Sequence, residues 1–504
     1  ERLNLFTRGA LQINDQTTAY LEAGMFLSRT RATGTPSGVN DNGVFNPADP
    51  ANPLVTHTTT LPATHPDNPT GVDRTLSLLT TDLGGRNGET KNVVSRLIAG
   101  VQGSAFDWDY EIGLGHIRSD LTDTSTGFIR HSVLQAAVND GTYRVNQPGL
   151  VPQSVRDAIS PELTRKPKSS VSLIDAKASR ELFTLPGGRL GVAVGAEYRQ
   201  EKSDTPPVPF TDVSDIVGLG FSAYDSKRSV KALFGEVTAP VQKWLELSAA
   251  VRTDRYSDYG SSTTPRVGVK IKPASNLALR GSYSESFRAP GPTESGNSSS
   301  LGFTTNAIIT IGDPSVKPET AKSFNLGAVY EPIPGTSLTV DVYRIERKDE
   351  ILPADPAAIL GDAGSDPALA NQRIAGRQPN SFIYYDADGE IAAVSGPYIN
   401  AASTKTDGVD LELRHRMNLG SVGKLTGQLN VTHVNSFQRT LADGTSFEYA
   451  GTHGPIVLSS GGGTPKDRAT LALTFERANW AVTGSFNYVG PVKMIDHKGQ
   501  TVRQ

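Results

Sequence analysis

Between Leu245 and Pro290 six cationic side chains stand at even-numbered positions: Arg252, Arg266, Lys270, Lys272, Arg280 and Arg288. Each falls in the polar half of an alternating run. Leu245, Leu247, Ala249 and Val251 oppose Glu246, Ser248, Ala250 and Arg252. Val267, Val269 and Ile271 oppose Arg266, Gly268, Lys270 and Lys272. Leu277, Leu279, Tyr283 and Phe287 oppose Arg280, Ser282, Ser284, Ser286 and Arg288. A period of two belongs to strands with unlike faces, so the six cations are expected on one face of a three-stranded unit. Fixed positive charges in a row do no bond chemistry. They attract and hold an anionic ligand, or they pair with Asp and Glu on neighbouring strands. If the apolar face meets lipid, all six point into a lumen, and Arg288, at the end of its strand beneath a loop, is the candidate for ligand contact.

Catalytic chemistry finds little support. The chain has no His-Glu-x-x-His, no phosphate-binding Gly-x-x-x-x-Gly-Lys and no nucleophile elbow. Asp386-Ala387-Asp388-Gly389-Glu390 begins like a calcium loop. The sixth position is Ile391 and the twelfth is Pro397, where such a loop needs Gly and Glu. It reads as a polar hairpin tip. His57 and His65 share one loop and could touch a metal or haem, yet no third ligand accompanies them. Gly113-Leu114-Gly115 sits inside a strand pattern and is no dinucleotide fingerprint. No catalytic residue, cofactor or metal is expected, and the chain is not read as an enzyme. With no cysteine there is no disulfide or thiol chemistry, and a net charge of -3 gives no reason to expect nucleic acid.

The elements that would position the cations recur from end to end. Alternating runs cover 2–13 and 17–29, 89–102 and 106–118, 169–184 and 189–202, 228–239 and the opening stretch, 319–331 and 337–348, 399–417 and 424–436, and 467–477 and 480–490. Short polar turns join members of a pair, at Asn14-Asp15-Gln16, Gly103-Ser104-Ala105, Pro186-Gly187-Gly188, Gln242-Lys243, Ala274-Ser275-Asn276, Pro334-Gly335-Thr336 and Ala478-Asn479. Long segments separate the pairs: 30–88, where no pattern persists, 119–168 with a short helix at 131–139, 349–397 and 437–465. That is about sixteen strands, with short turns at one end and long loops at the other. Only 37% of residues are apolar and Gly is abundant, which suits a barrel with a polar interior. No run of apolar residues is long enough for a membrane helix. Trp108, Trp244, Trp480 and Tyr488 sit near strand ends, as in an interfacial girdle.

Five blocks resemble the barrel of TonB-dependent outer-membrane receptors: LPGGRLGVAVGAEYRQE (185–201), SYSESFRAPGPTE (282–294), VKPETAKSFNLGAVYEP (316–332), SLTVDVYRIERKDEI (337–351) and TKTDGVDLELRHRM (404–417). Their order matches as well. The resemblance implies an all-β fold, a transmembrane antiparallel β-barrel. About sixteen strands of a 22-stranded barrel would be present, with short periplasmic turns and long extracellular loops. It implies a single partial barrel domain over 1–504, with a plug and the first and last strands missing. The chain would then be an interior fragment and no working transporter alone. It further implies TonB-dependent uptake of a scarce nutrient such as a ferric siderophore, in the outer membrane of a Gram-negative bacterium. The partners would be outer-membrane lipid, the TonB complex reached through an N-terminal region, and a small-molecule nutrient; the chain would act as a monomer. A passive porin-like or adhesin barrel is the alternative. On either reading Arg252, Arg266, Lys270, Arg280 and Arg288 are the lumen- or ligand-facing candidates.

Overall fold

A strand that crosses lipid must hydrogen-bond every backbone group to a neighbouring strand, and the alternation marks where such strands lie. The structure, a computed structural model, describes residues 1–41, 44–45, 54–303, 307–354, 382–385, 391–441, 444–455 and 463–495. Among these, sixteen long strands run in sequence. They are β1 (Arg2–Asn14), β2 (Thr17–Pro36), β3 (Gly85–Ala105), β4 (Trp108–Thr126), β5 (Lys168–Leu185), β6 (Gly188–Thr205), β7 (Ser222–Gln242) and β8 (Leu245–Tyr256). The second half comprises β9 (Gly260–Ala274), β10 (Leu277–Arg288), β11 (Glu319–Tyr330), β12 (Thr336–Pro353), β13 (Ile391–Asn418), β14 (Lys424–Leu441), β15 (Asp467–Arg477) and β16 (Trp480–Val489). Each pairs antiparallel with the next in chain order. With five short strands they make one 21-stranded sheet. No helix among the described residues is long and apolar enough to cross a membrane.

The expected hairpins are all present, and the differences lie at their ends. The turn expected at Gly103-Ser104-Ala105 falls at Phe106-Asp107 instead. The ladder continues to Ala105 opposite Trp108, and Phe106 and Asp107 both take positive φ, the signature of a two-residue hairpin turn. Gly103 stays in the ladder because a side chain there would strike the Gln16 carbonyl and the Tyr110 hydroxyl. At the opposite end strands outrun the alternation: β2 extends to Pro36, β4 to Thr126, and β7 begins at Ser222. Beyond the bilayer neither face needs to be apolar, so the pattern fades while the backbone ladder persists. The β8–β9 connection is short at this end too, only Ser257 to Tyr259.

Register shows the two faces directly. One row runs Ala99–Leu114–Ile174–Tyr198 across β3 to β6. The next row toward the short turns runs Val101–Ile112–Ala176–Ala196–Leu233. Further round, Leu279, Gly281 and Tyr283 stand opposite Ala328, Leu326 and Phe324. Leu114, Leu233, Val251, Leu326 and Phe486 on this face are exposed. An exposed apolar face of this extent belongs against lipid. Trp244 and Trp480 flank the short turns, half exposed, at the rim of the band.

Above the long-loop end, the described residues of 37–84 fold together with segments 127–162 and 206–221. Val39, Leu61, Leu76, Ile129, Leu134, Val138, Tyr143, Val151, Ile159 and Val217 form one buried cluster. Helix α1 (His131–Asn139), expected from the sequence, supplies Leu134 and Val138, and α2 (Gln153–Ile159) adds Ile159. The segment read as patternless is therefore part of a packed cap. A hairpin of 297–303 and 307–311 pairs one arm with Ser222–Asp225 of β7 and the other, in parallel, with Ala393–Pro397 of β13.

Placing a charge on the apolar face is expected to be costly. Leu326→Arg should destabilise the inserted receptor by about 2–4 kcal/mol, against roughly 1 kcal/mol or less for Ser282→Arg on the opposite face. Urea titration in phospholipid vesicles measures both; equal costs would contradict the assignment of faces.

Candidate functional site

The register gathers the sequence-predicted cations on the polar face. Arg266 lies opposite Ala250 and Ser284, Lys270 opposite Glu246 and Arg280, Arg252 opposite Phe234 and Thr264, and Arg288 opposite Glu319. Their surroundings differ. Arg252 donates to Asp254 at 2.8 Å and to Glu197 at 3.4 Å, beside the Phe234 ring. Arg280 grips Asp341 with two hydrogen bonds, at 3.0 and 2.5 Å. Gly327 makes room for that pair, since a Cβ there would overlap the Asp341 carboxylate and the Arg280 guanidinium. Arg288 reaches Glu294 at 2.9 Å and Glu319 at 2.7 Å. Among the described residues Arg266, Lys270 and Lys272 have no ion-pair partner. Glu246 faces Lys270 in register but is not within ion-pair distance.

Arg288 belongs to a larger network near the loop end. Glu319 also accepts the Ile351 N–H at 2.9 Å and lies 3.9 Å from Arg347. Arg347 binds Glu350 at 3.0 Å, and Glu350 meets Arg439 at 3.3 Å and accepts from Thr404. Glu319, Glu350 and Arg439 are buried. Buried charges of this kind persist only when each is paired and hydrogen-bonded, and removing one partner strands the other. The network therefore fixes β10, β11, β12 and β14 to one another and engages the guanidinium of Arg288.

Arg266 and Lys270 border a recess. Gly268 lies between them on β9 and has no side chain to fill the space, and a Cβ there would press on the Ser248 hydroxyl. Glu246, Ser248, Arg266, Lys270, Arg280, Ser282 and Asn325 surround a cavity of about 170 Å³. Four residues of strand put the two cations roughly 13 Å apart along the backbone. Two cations bracketing hydroxyl and amide donors can receive a carboxylate or similar anion.

The two histidines singled out by sequence are structural. His57, buried, has Nδ1 2.9 Å from Asp41 Oδ2 and Nε2 2.7 Å from the Ser214 carbonyl, and its ring stacks on His131 at 4.5 Å. His65 Nε2 lies 3.1 Å from the Tyr143 carbonyl, and its Nδ1 accepts the Asp67 N–H at 3.0 Å. Among the described residues no three groups come together as a metal site. The calcium-like stretch at Asp386–Glu390 lies outside the described residues. Asp67 is a cap fastener that sequence reasoning missed, bound by Arg144 at 2.5 and 3.1 Å. The Arg144 guanidinium holds the Asp67 carboxyl below its usual range, against the opposing effect of burial. Burial lowers His131, and the neighbouring His57 lowers it further. Asp215 was also missed; it accepts from Arg130 Nε at 2.9 Å and from the Ser132 N–H and hydroxyl. These partners lie far apart in sequence, and no local pattern marks them.

The family model "TonB dependent receptor-like, beta-barrel" matches residues 26–502. The chain belongs to this family. Its members are outer-membrane β-barrels of Gram-negative bacteria, receptors and transporters rather than enzymes. The ferric enterobactin receptor PfeA of Pseudomonas aeruginosa is 13% identical, with a TM-score of 0.61 over 100% of this chain and 59% of that one. The RagAB peptide transporter is 15% identical, with a TM-score of 0.60 over 99% and 58%. The siderophore receptor PirA of Acinetobacter baumannii is 11% identical, with a TM-score of 0.55 over 96% and 58%. At these identities the likeness is one of fold, and the chain spans under three fifths of each neighbour's length. No curated protein matches the chain.

The cap is expected to loosen in acid. Asp67 has a lowered carboxyl in the folded state, so its contribution is complete above the unfolded value of about 3.9 and is lost as pH falls through the lower folded value. His131 is also lowered, so its contribution fades as pH falls from about 6.5. Protection of the 131–139 amides in the detergent-solubilised receptor, taken relative to their intrinsic exchange rate at each pH, should fall from pH 7 to pH 3, and Asp67→Asn should remove the most acidic part of that fall. Protection independent of pH would contradict the assignment.

Proposed function

We propose that this chain forms the barrel wall of an outer-membrane receptor that imports a scarce anionic nutrient, such as a ferric siderophore, with energy supplied through TonB. The polar face lines the lumen, the apolar face meets outer-membrane lipid, and the loop cap takes part in ligand capture. A plug and the TonB contact are supplied by further sequence, and the receptor works as a monomer. Family membership supports the transport reading. The single observation that favours an anionic cargo is the recess between Arg266 and Lys270, two cations with no ion pair among the described residues, which with Arg280 outnumber the one bordering carboxylate, Glu246. Arg252, Arg280 and Arg288 shape the surrounding field while bound to carboxylates. Attraction by fixed charge raises the local concentration of an anion and the rate of encounter. The passive porin-like or adhesin alternative requires no energy source, which makes the two separable.

Uptake of labelled ferric chelates, anionic and neutral, by cells expressing the full-length receptor tests the reading, with peptides as the competing cargo class. Uptake should stop when TonB is deleted or the proton gradient is collapsed. Arg266→Gln with Lys270→Gln should reduce anionic uptake by about tenfold at limiting substrate, at unchanged receptor level. Uptake that persists without TonB would favour passive flow, and an unchanged double variant would remove the recess from the account.

A further inference from the structure

The ladder between β9 and β10 stops short of the loop end. Its last pair is Arg266 with Ser284. Above that pair, residues 260–265 pair with β8 and residues 285–288 with β11, and the two stretches form no pair with each other. The cause lies in the sequence. The Lys272 N–H bonds the Trp244 carbonyl at 2.7 Å, so even-numbered residues of β9 address β8 and odd-numbered ones address β10. Val267, Val269 and Ile271 accordingly meet Tyr283, Gly281 and Leu279. The next odd residue is Pro265, which has no N–H to offer Glu285. Arg288, 2.7 Å from Glu319, holds the upper part of β10 to β11 instead.

Arg266 lies six residues beyond Lys272 at the short-turn rim. For a strand tilted by roughly 40° that is about 15 Å along the membrane normal, inside an apolar band of about 25 Å. The gap therefore begins within the outer-leaflet half of the band and runs to the loop end. Unpaired backbone does not persist against lipid, so such a gap must be wet or filled. Its edges carry hydroxyls, at Ser261, Ser262, Thr263 and Thr264 on β9 and at Ser284 and Ser286 on β10. The one carboxylate beside it, Glu285, lies 3.6 Å from Lys322 and accepts the Tyr283 hydroxyl.

An aromatic ring reaches across the gap. Phe287 is in phase with Leu279 and Tyr283 on the apolar face, and Tyr256 is in phase with Arg252 and Asp254 on the polar face. Their rings nonetheless meet edge to face at 6.0 Å, although β9 runs between their strands. A continuous wall keeps residues of opposite faces apart. Tyr256 also stacks on Tyr259 at 4.5 Å, which gives the lumen side of the gap an apolar lining.

The floor of the gap is the roof of the anion recess. Arg266, in the last pair of the ladder, borders the recess, as does Ser282, two residues below Ser284. We propose that the nutrient is an amphiphilic anion whose charged head occupies the Arg266–Lys270 recess while its acyl chain leaves through the β9–β10 gap into the outer leaflet. A chain kept in the wet lumen would expose its apolar surface, whereas one threaded past Phe287 stays in hydrocarbon. The inference deepens the anionic-cargo reading of the recess and rests on it.

The test uses the full-length receptor in phosphatidylcholine nanodiscs with two probes, an anionic ferric tris-catecholate and the same chelate bearing a dodecyl chain. Pro265→Val restores the missing N–H and should close the gap. It should weaken binding of the dodecyl chelate by about tenfold or more, because the chain must then leave the lipid, and should leave the chain-free chelate unchanged. A disulfide between Thr264→Cys and Ser286→Cys should do the same, and its reduction should restore binding, which excludes a folding defect. Arg266→Gln with Lys270→Gln should weaken both chelates alike. Wild type that binds both chelates but responds to neither closure would overturn this inference alone. Wild type that binds neither would overturn the recess reading with it.

Discussion

The absence of water from the bilayer core is the constraint on which the rest of the structure depends. Each N–H and C=O of a crossing segment must find a partner in the protein, which leaves a continuous antiparallel ladder as the way for a strand to cross. The fourteen strands from β2 to β15, each paired on both sides in chain order, satisfy it, and β1 and β16 pair on one side among the described residues. Because successive side chains then point to opposite faces, the ladder separates the chain into an apolar set and a polar set. Leu233 and Leu326 stand exposed on one side, while Arg252, Glu197 and Asp254 meet on the other.

The polar set is organised mainly by charge pairing. Half-exposed pairs such as Arg280–Asp341 add modest stability, typically below about 1 kcal/mol. The chain of Arg288, Glu319, Arg347, Glu350 and Arg439 is different in kind, since Glu319, Glu350 and Arg439 are buried and each member depends on its neighbours. Cations left out of these pairs then become informative. Arg266 and Lys270 on one face, and Lys202 and Lys227 on the other, carry charge for which the described residues offer no ion-pair partner. The anionic cargo proposed above rests on the first of these pairs.

The wall was legible in the sequence because its signal is local. Period two identified the sixteen strands and the common face of Arg252, Arg266, Lys270, Arg280 and Arg288. It did not reveal where strands end beyond the lipid, since β2 and β4 keep pairing where no apolar face is required. The hairpin turn was placed early because Gly103 looks like a turn residue, whereas its lack of a side chain serves the close approach of Gln16. The cap was invisible for another reason. Its core joins Val39, Leu134 and Val217 across nearly the whole first half of the chain, and its fasteners, Asp67 with Arg144 and His57 with Asp41, depend on tertiary contacts. Which cations would be paired was equally hidden, because partners such as Asp341 for Arg280 lie on strands whose adjacency follows only from the full register.

The central claim, that one face meets lipid and the other a wet lumen, is open to direct measurement. The chain has no cysteine, so single substitutions report without background. Leu233→Cys and Leu326→Cys should carry fluorophores quenched by nitroxide lipids and protected from a membrane-impermeant thiol reagent in the full-length receptor. Ser282→Cys and Ala250→Cys should react with that reagent and escape lipid quenching. If the two pairs exchange behaviours, or all four respond alike, the assignment of faces fails, and with it the proposed anion site.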